Sequence, residues 1–307
     1  MLVSDINRQY PQCAVVFAKY GIAGCGGELG PPEPLFIFAA AHRVPLAQLV
    51  EELNAAVRGE WKDEAPTAAE TSGAEEAAAE TLYKWFVAGA LAVAVTLGFG
   101  LGVVNLLRIA EAGQYYVVSG IWKQLHGHAQ VMGWVGLFIM GVALHAVPRM
   151  KMTGLRPVWA ARAALGLILT GLVLRSTGWR PAVVGSAVVE LVGVGLFLWL
   201  LIGVVARSDQ PREPYEKYIL ASLVWLAALA VGNLWIVWQR MPTVPHALWI
   251  HAALFGFVAN MIFGFSLRVL PHFLGLRETR QWAADAAFWL WNVAILVRYP
   301  LEWRAWT

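Results

Sequence analysis

Charge is what this sequence has least of. Only 14% of its 307 residues are Asp, Glu, Lys or Arg, where soluble domains run to about a quarter. That shortage excludes an ordinary soluble globule. The net charge of +3 is small and forms no basic stripe, so nucleic acid is not an expected partner. Cysteine is scarce too. Cys13 and Cys25 are the whole complement, which excludes a disulfide framework. No signal peptide is expected, because Asp5, Arg8 and Pro11 interrupt the start before an apolar core can form. What is present points the other way. The chain is 59% hydrophobic and holds 16 tryptophans, a residue enriched at membrane interfaces.

From about Leu82 the apolar runs read as successive membrane helices. The expected spans are 82–107, 122–148, 158–175, 182–206, 218–238, 246–270 and 283–299, the last short and holding Asp285. An odd count that stops soon afterwards suggests a piece of a longer protein. With the amino terminus in the cytoplasm, the inner loops hold Arg149, Lys151, Arg156, Arg207, Arg212, Lys217, Arg277 and Arg280. That bias satisfies the positive-inside rule for an inner (plasma) membrane protein in contact with lipid.

Residues 1–60 read as a small helical unit of their own. One helix is expected from Pro11 to Gly21, a second over Pro34 to Arg43 and a third from Pro45 through Leu53. Cys25 falls in a glycine-rich turn where a thiolate would be accessible, so it is a candidate metal ligand; Cys13 is expected to be packed. Residues 61–81 are rich in Ala, Glu and Thr and bury no core, so they read as a disordered or transiently helical linker. The fold class is therefore all-α: a polytopic helix bundle of about seven spans, residues 82–307, behind a small helical domain.

The chemistry is concentrated in a helix that occurs twice. Aligning His128 with His251 brings Gly133 onto Gly256, Gly141 onto Gly264, Leu144 onto Leu267 and Pro148 onto Pro271, with no gap. Ionisable groups inside a span are costly and usually mark a site. A haem held between two membrane helices needs one axial histidine from each. His128 and His251 sit at equal depth, with glycines that would let the flat ring approach the backbone. They are the candidate iron ligands. His126 and His246 could serve a second ion or haem propionates. His145 and His272 lie at the opposite ends of the same helices, roughly 25 Å from the first set at 1.5 Å per residue. They would need a second cofactor, or else cap the helix ends beside Pro148 and Pro271. Glu190 lies inside the fourth span, a candidate proton relay and catalytic residue, with Arg175 and Arg162 as possible partners. Asn233, Asn260 and Asn292 are expected to bond between helices.

Two resemblances follow from these residues. His126-Gly-His128 through Gly133, Gly141 and Pro148, followed later by His246, His251 and Arg268, resembles the NnrS family of haem- and copper-containing membrane proteins linked to nitric oxide and denitrification. The stretch is also similar, more distantly, to the haem-ligand helix of haem-copper oxidases and nitric oxide reductases. It departs from the family at Ala129 and Gln130, where a Glu commonly stands. Residues 1–60, through Tyr10-Pro11, Phe17, Tyr20-Gly21-Ile22, Cys25-Gly26-Gly27 and Leu49 to Asn54, resemble the amino-terminal domain of the ScdA/RIC iron–sulfur repair proteins. These resemblances imply haem b, with copper or iron as further metals, nitric oxide or a related small molecule as ligand, and cofactor contacts from His126, His128, His246, His251 and Arg268; His145 and His272 are added as candidate cofactor contacts from their place in the repeat. They imply no particular electron donor. The expected function is haem binding in nitric oxide metabolism or nitrosative stress. The competitors are an oxidoreductase of the nitric oxide reductase kind and a cofactor-free transporter.

Overall fold

In a bilayer every backbone N–H and C=O must be satisfied within the protein, which leaves helix as the economical solution for these apolar runs. A computed structural model describes residues 1–20, 33–42, 44–61, 70–210, 212–239, 246–273 and 280–306. Among them every regular element is a helix, and the sole extended pairing is an isolated bridge between Leu2 and Pro34.

Six helices are long and apolar enough to cross a membrane: Thr81–Ala112, Gly120–Met150, Val158–Ser176, Arg180–Ala206, Glu216–Trp238 and Trp249–Pro271. This is the architecture of a multi-pass membrane protein, and these helices are numbered below as the first to sixth spans. The expected seventh also forms, as Gln281–Trp306. It is not among the six: Asp285, Asn292 and Arg298 dilute its apolar character.

The helix entering the first span begins at Glu70, so the second half of the expected linker is helical rather than loose. Ala and Glu are strong helix formers, and a segment joined to an existing helix needs no new nucleus. In the amino-terminal part, short helices cover Val3–Gln9, Ala14–Lys19, Leu35–Ala41 and Leu46–Val57. The first of these was not legible from Pro11 onward. It is anchored by Val3 and Ile6, which join Val16, Phe17, Phe38, Leu49 and Leu53 in an apolar cluster separate from that of the spans. Phe17 meets Phe38 edge-on, ring centroids 5.1 Å apart. Cys13 is buried in this cluster with its thiol toward the Leu53 carbonyl, and burial pushes the thiol's pKa up. It is packed, as expected.

The repeat extends to the backbone. After His128 the second span loosens into an eight-residue π-helix, Ala129–Gly136, and then resumes as the α-helix Leu137–Met150. After His251 the sixth span does the same, through the eight-residue π-helix Ala252–Ala259 and the α-helix Asn260–Phe273. Both resumed helices carry their proline near the end, Pro148 and Pro271. The two π segments pack against each other.

The glycines of the repeat serve this packing. A methyl group on Gly133 would strike Val93 of the first span, and one on Gly141 would strike Phe86. A methyl on Gly256 would strike Trp225 of the fifth span, and one on Gly264 would strike Ile219. The expectation that these glycines open a groove for a flat ring is therefore corrected: neighbouring helices fill the space, because small residues let backbones approach closely.

Candidate functional site

The second and fourth spans run in the same direction, so residues near their starts lie at similar depth. His128 and Glu190 use this. His128 Nε2 lies 2.9 Å from Glu190 Oε2, a hydrogen-bonded pair with both side chains buried, at 4% and 3% exposure. Asn233 of the fifth span donates from Nδ2 to the same carboxylate oxygen at 3.2 Å. Arg175, at the end of the third span, donates from Nη2 to Asn233 Oδ1 at 2.8 Å and from Nε to Ser186 Oγ at 3.4 Å. Ser186 donates onward to the Val183 carbonyl. Four helices thus contribute to one buried polar chain. Gly171 makes room for it, because any side chain there would collide with Glu190 Cγ.

The charge balance explains why such a cluster is tolerated. Burying one ion costs several kcal/mol unless it is paired and hydrogen-bonded. Arginine is always charged, so an ionised Glu190 with a neutral His128 leaves the group with no net charge. One acceptor is left over. Glu190 Oε1 is buried without a hydrogen-bond partner among the described residues. A carboxylate with one oxygen bound and the other vacant is equipped to accept a proton or a hydrogen-bond donor.

Of the expected partners of Glu190, Arg175 joins through Asn233 and Ser186, whereas Arg162 lies on an exposed face and takes no part. The principal partner, His128, was missed. The signal for it was depth: both residues sit roughly two to three turns into parallel spans, and Asn233 and Arg175 lie near the ends of the antiparallel ones. Asn260 and Asn292 bond to each other at 3.1 Å, as interhelical groups should.

The remaining expected site residues are dispersed. His126 Nδ1 is 3.0 Å from the Gly98 carbonyl, within a π segment of the first span, Ala94–Gly100. Its ring satisfies a carbonyl that the loosened helix turn frees. His145 lies against Tyr83 and its Nδ1 meets Arg149 Nη1 at 2.8 Å. Arg268 pairs with Glu213 at 3.2 Å, at the same end of the bundle as the buried Lys151–Glu216 ion pair. His251 stacks on Phe255, and the ring of Trp249, half a turn before it, lies 5.9 Å from the His128 ring. The second and sixth spans are therefore adjacent at this level. Cys25 lies outside the described residues, as do the side chains of His246 and His272. Among the described residues no three His, Cys, Asp or Glu side chains converge to hold a metal ion.

A haem needs fewer protein donors than a bare ion does, so the test of fit is the state of the histidine. A carboxylate on one ring nitrogen is the arrangement that orients a ligating imidazole and raises its basicity. Glu190 supplies it to His128 at Nε2, so the nitrogen left for iron is Nδ1, the one beside the Cβ and the helix backbone. An imidazole is the right type of donor, but neighbouring helices fill the space at Gly133 and Gly141 that a flat ring would need. The chain matches no known protein-family model, no curated protein and no solved structure.

Proposed function

We propose that this chain is a haem-binding membrane protein of nitric oxide metabolism or the nitrosative-stress response, with His128 and His251 as the paired ligands and the amino terminus in the cytoplasm. The observation that carries this reading is that two of the three π segments among the described residues begin directly after a histidine of the repeat, while the third, Ala94–Gly100, follows Val93. π-Helical turns are frequent at functional sites, and these two lie in helices that pack together at that level. The haem would supply an iron able to change oxidation state and to bind a small diatomic ligand. The chain's own part is to orient the His128 ring through Glu190, to keep Glu190 in place through Asn233 and Arg175, and to exclude water from the group. The seventh helix is taken as a seventh span, and the amino-terminal helices as a cytoplasmic domain whose thiol, Cys25, meets iron or nitric oxide.

The reduced-minus-oxidised visible spectrum of the purified chain tests the proposal. A haem signature that is lost in both His128→Ala and His251→Ala, with the protein still inserted, is the expected result. A full haem spectrum in either variant refutes the paired ligands, and no visible absorbance in the unaltered protein reconstituted with haem refutes the reading entirely.

The vacant oxygen of Glu190 favours a second reading, an oxidoreductase in which the Glu190–His128 pair moves protons. Oε2 shares a proton with His128 while Oε1 can take another, so a proton entering on one side can leave on the other. Glu190→Gln keeps the shape and removes this exchange. Unchanged turnover of nitric oxide in that variant leaves Glu190 an orienting residue alone.

A further inference from the structure

The repeat pairs the first three spans with the fifth, sixth and seventh helices as two copies. In the register that sets His128 on His251, Trp159 falls on Trp282, four alanines fall on four alanines and Arg175 falls on Arg298. Within this frame one stripe belongs to the first copy alone. Trp122, His126, Gln130 and Trp134 recur at every fourth residue along the second span, two polar side chains between two aromatic ones. Residues four apart on a helix are neighbours on one face. At the places of His126 and Gln130 the sixth span has Trp249 and Ala253. The shared backbone therefore does not require the polar pair.

The stripe faces the first span along a seam of small residues. The Gln130 amide lies against Gly98, and the His126 ring lies over Gly102. Asn105 continues that face of the first span one turn further on. Three acceptors along the seam lack a donor. A carbonyl can only accept, so the His126 ring donates from Nδ1 to Gly98. In the neutral ring Nε2 then carries a lone pair. Gln130 Oε1 and Asn105 Oδ1 are buried without a hydrogen-bond partner among the described residues, and Asn105 as a whole is only 8% exposed. Buried polar atoms in folded proteins are nearly always hydrogen-bonded, so orphans gathered on one seam call for a partner. The seam also has an open edge. Phe99, whose ring lies 5.5 Å from that of Trp134, is 54% exposed, and His126 and Gln130 are half-buried. His128 points away from this seam, to the fourth span.

We propose that the seam between the first and second spans binds the head group of a lipid-soluble hydroquinone. The ligand class follows from what the seam offers. Its orphaned atoms are acceptors, which suit hydroxyl groups and not phosphate. Two acceptors on one helix face, His126 Nε2 and Gln130 Oε1, match two hydroxyls on opposite edges of one flat ring. Trp122 and Trp134 bracket that ring, and aromatic faces are good surfaces for it. The apolar tail leaves past Phe99 into the bilayer. Asn105 Oδ1 accepts from a water at the mouth of the seam. The reduced ring is selected over the quinone, because Nε2 of neutral His126 has no proton to give a carbonyl.

Equilibrium binding of decylubiquinol to the full chain in lipid nanodiscs, read against protein-free nanodiscs without oxygen, tests the proposal. The expected result is one saturable site that holds decylubiquinol roughly tenfold more tightly than decylubiquinone, the order of effect of one hydrogen bond left unmade. His126→Leu and Gln130→Leu should each weaken decylubiquinol binding by a similar factor, whereas Trp159→Leu, on the lipid-exposed start of the third span, should leave it unchanged. No binding above that of protein-free nanodiscs, equal affinity for the two redox forms, full affinity in either polar variant, or competition by dodecanol as effective as that by decylubiquinol would each overturn the proposal. The comparison of redox forms uses the unaltered chain, so it decides the matter even where a variant fails to fold. Binding is read without a haem spectrum, so failure of this site and failure of the haem reading are separate results.

Discussion

The second and sixth spans share a backbone and differ in what they bury. Both pass from histidine into an eight-residue π-helix and out into an α-helix. Both set two glycines against the preceding span. Yet His128 of the second span joins a buried group with Arg175 of the third, Glu190 of the fourth and Asn233 of the fifth, three of them ionisable. The second copy invests in Asn260 and Asn292, neutral amides bonded to each other. In the repeat register those asparagines fall on Leu137 and Leu169 of the first copy. The difference teaches that glycine and the π turn set the shape of the helix pair, while its chemistry is added independently by a few polar residues.

Removing the carboxylate should break the comparison most severely. Glu190→Ala removes the carboxylate that balances the Arg175 charge and leaves His128 and Asn233 without their acceptor; an uncompensated charge in such a buried group costs about 3–5 kcal/mol. Glu190→Gln removes the same charge but keeps the shape, so thermal unfolding in detergent should show large losses for both Glu190→Ala and Glu190→Gln. A much smaller loss for Glu190→Gln would mean that shape and hydrogen bonding, not charge, hold the cluster. The glycine contacts come next. Gly133→Ala and Gly256→Ala each force a methyl into a neighbouring helix, an overpacking of about 1–3 kcal/mol. Gly166→Ala, with open space around it, should be neutral or mildly stabilising by the same melt. If Gly256→Ala is as harmless as Gly166→Ala, the two copies are not packed alike.

The amides sharpen the contrast at a smaller scale. Asn260→Leu alone strands Asn292 and should cost about 1–3 kcal/mol. The double change Asn260→Leu with Asn292→Leu recreates the first copy's Leu137 and Leu169, and should return most of that loss. A double variant worse than either single one would show that the amides do more than bond each other. Smallest is a pH effect in the amino-terminal helices. Burial alone would raise the Glu52 carboxyl, but hydrogen bonds from Tyr20, Gln48 and Lys19 outweigh it and hold its pKa below the ordinary value. A depressed carboxyl stabilises above its unfolded value of about 4.3 and loses that contribution as the pH falls through the folded one. Glu52→Gln should therefore flatten the acid side of the stability profile of these helices, and an unchanged profile would place the acid sensitivity elsewhere.

Much of this was legible in advance. The six long helices follow from the apolar runs, within a few residues of their ends, because the bilayer leaves the backbone no alternative. The repeat of His128 and His251 was visible as an ungapped match, and Glu190 stood out as a charge in an apolar helix. What was not legible was direction around the helix axis. The π turns shift the angular position of everything after them, so no fixed period read from the sequence could show that Gly133 and Gly141 face the first span. The partner of Glu190 required relative depth across four helices rather than spacing along one. The helical start at Glu70 was hidden because a polar Ala/Glu stretch reads as linker unless the helix it extends is considered with it.

The pairing of His128 with Glu190 also fixes an order of assembly. The two residues are 62 positions apart in the chain. At about 5–20 residues per second of synthesis, His128 waits on the order of three to twelve seconds before its carboxylate is made. During that interval the second span holds an imidazole whose carboxylate partner does not yet exist. The fourth span is in this sense the clasp of the bundle: the first three spans can gather earlier, but they cannot close until it arrives.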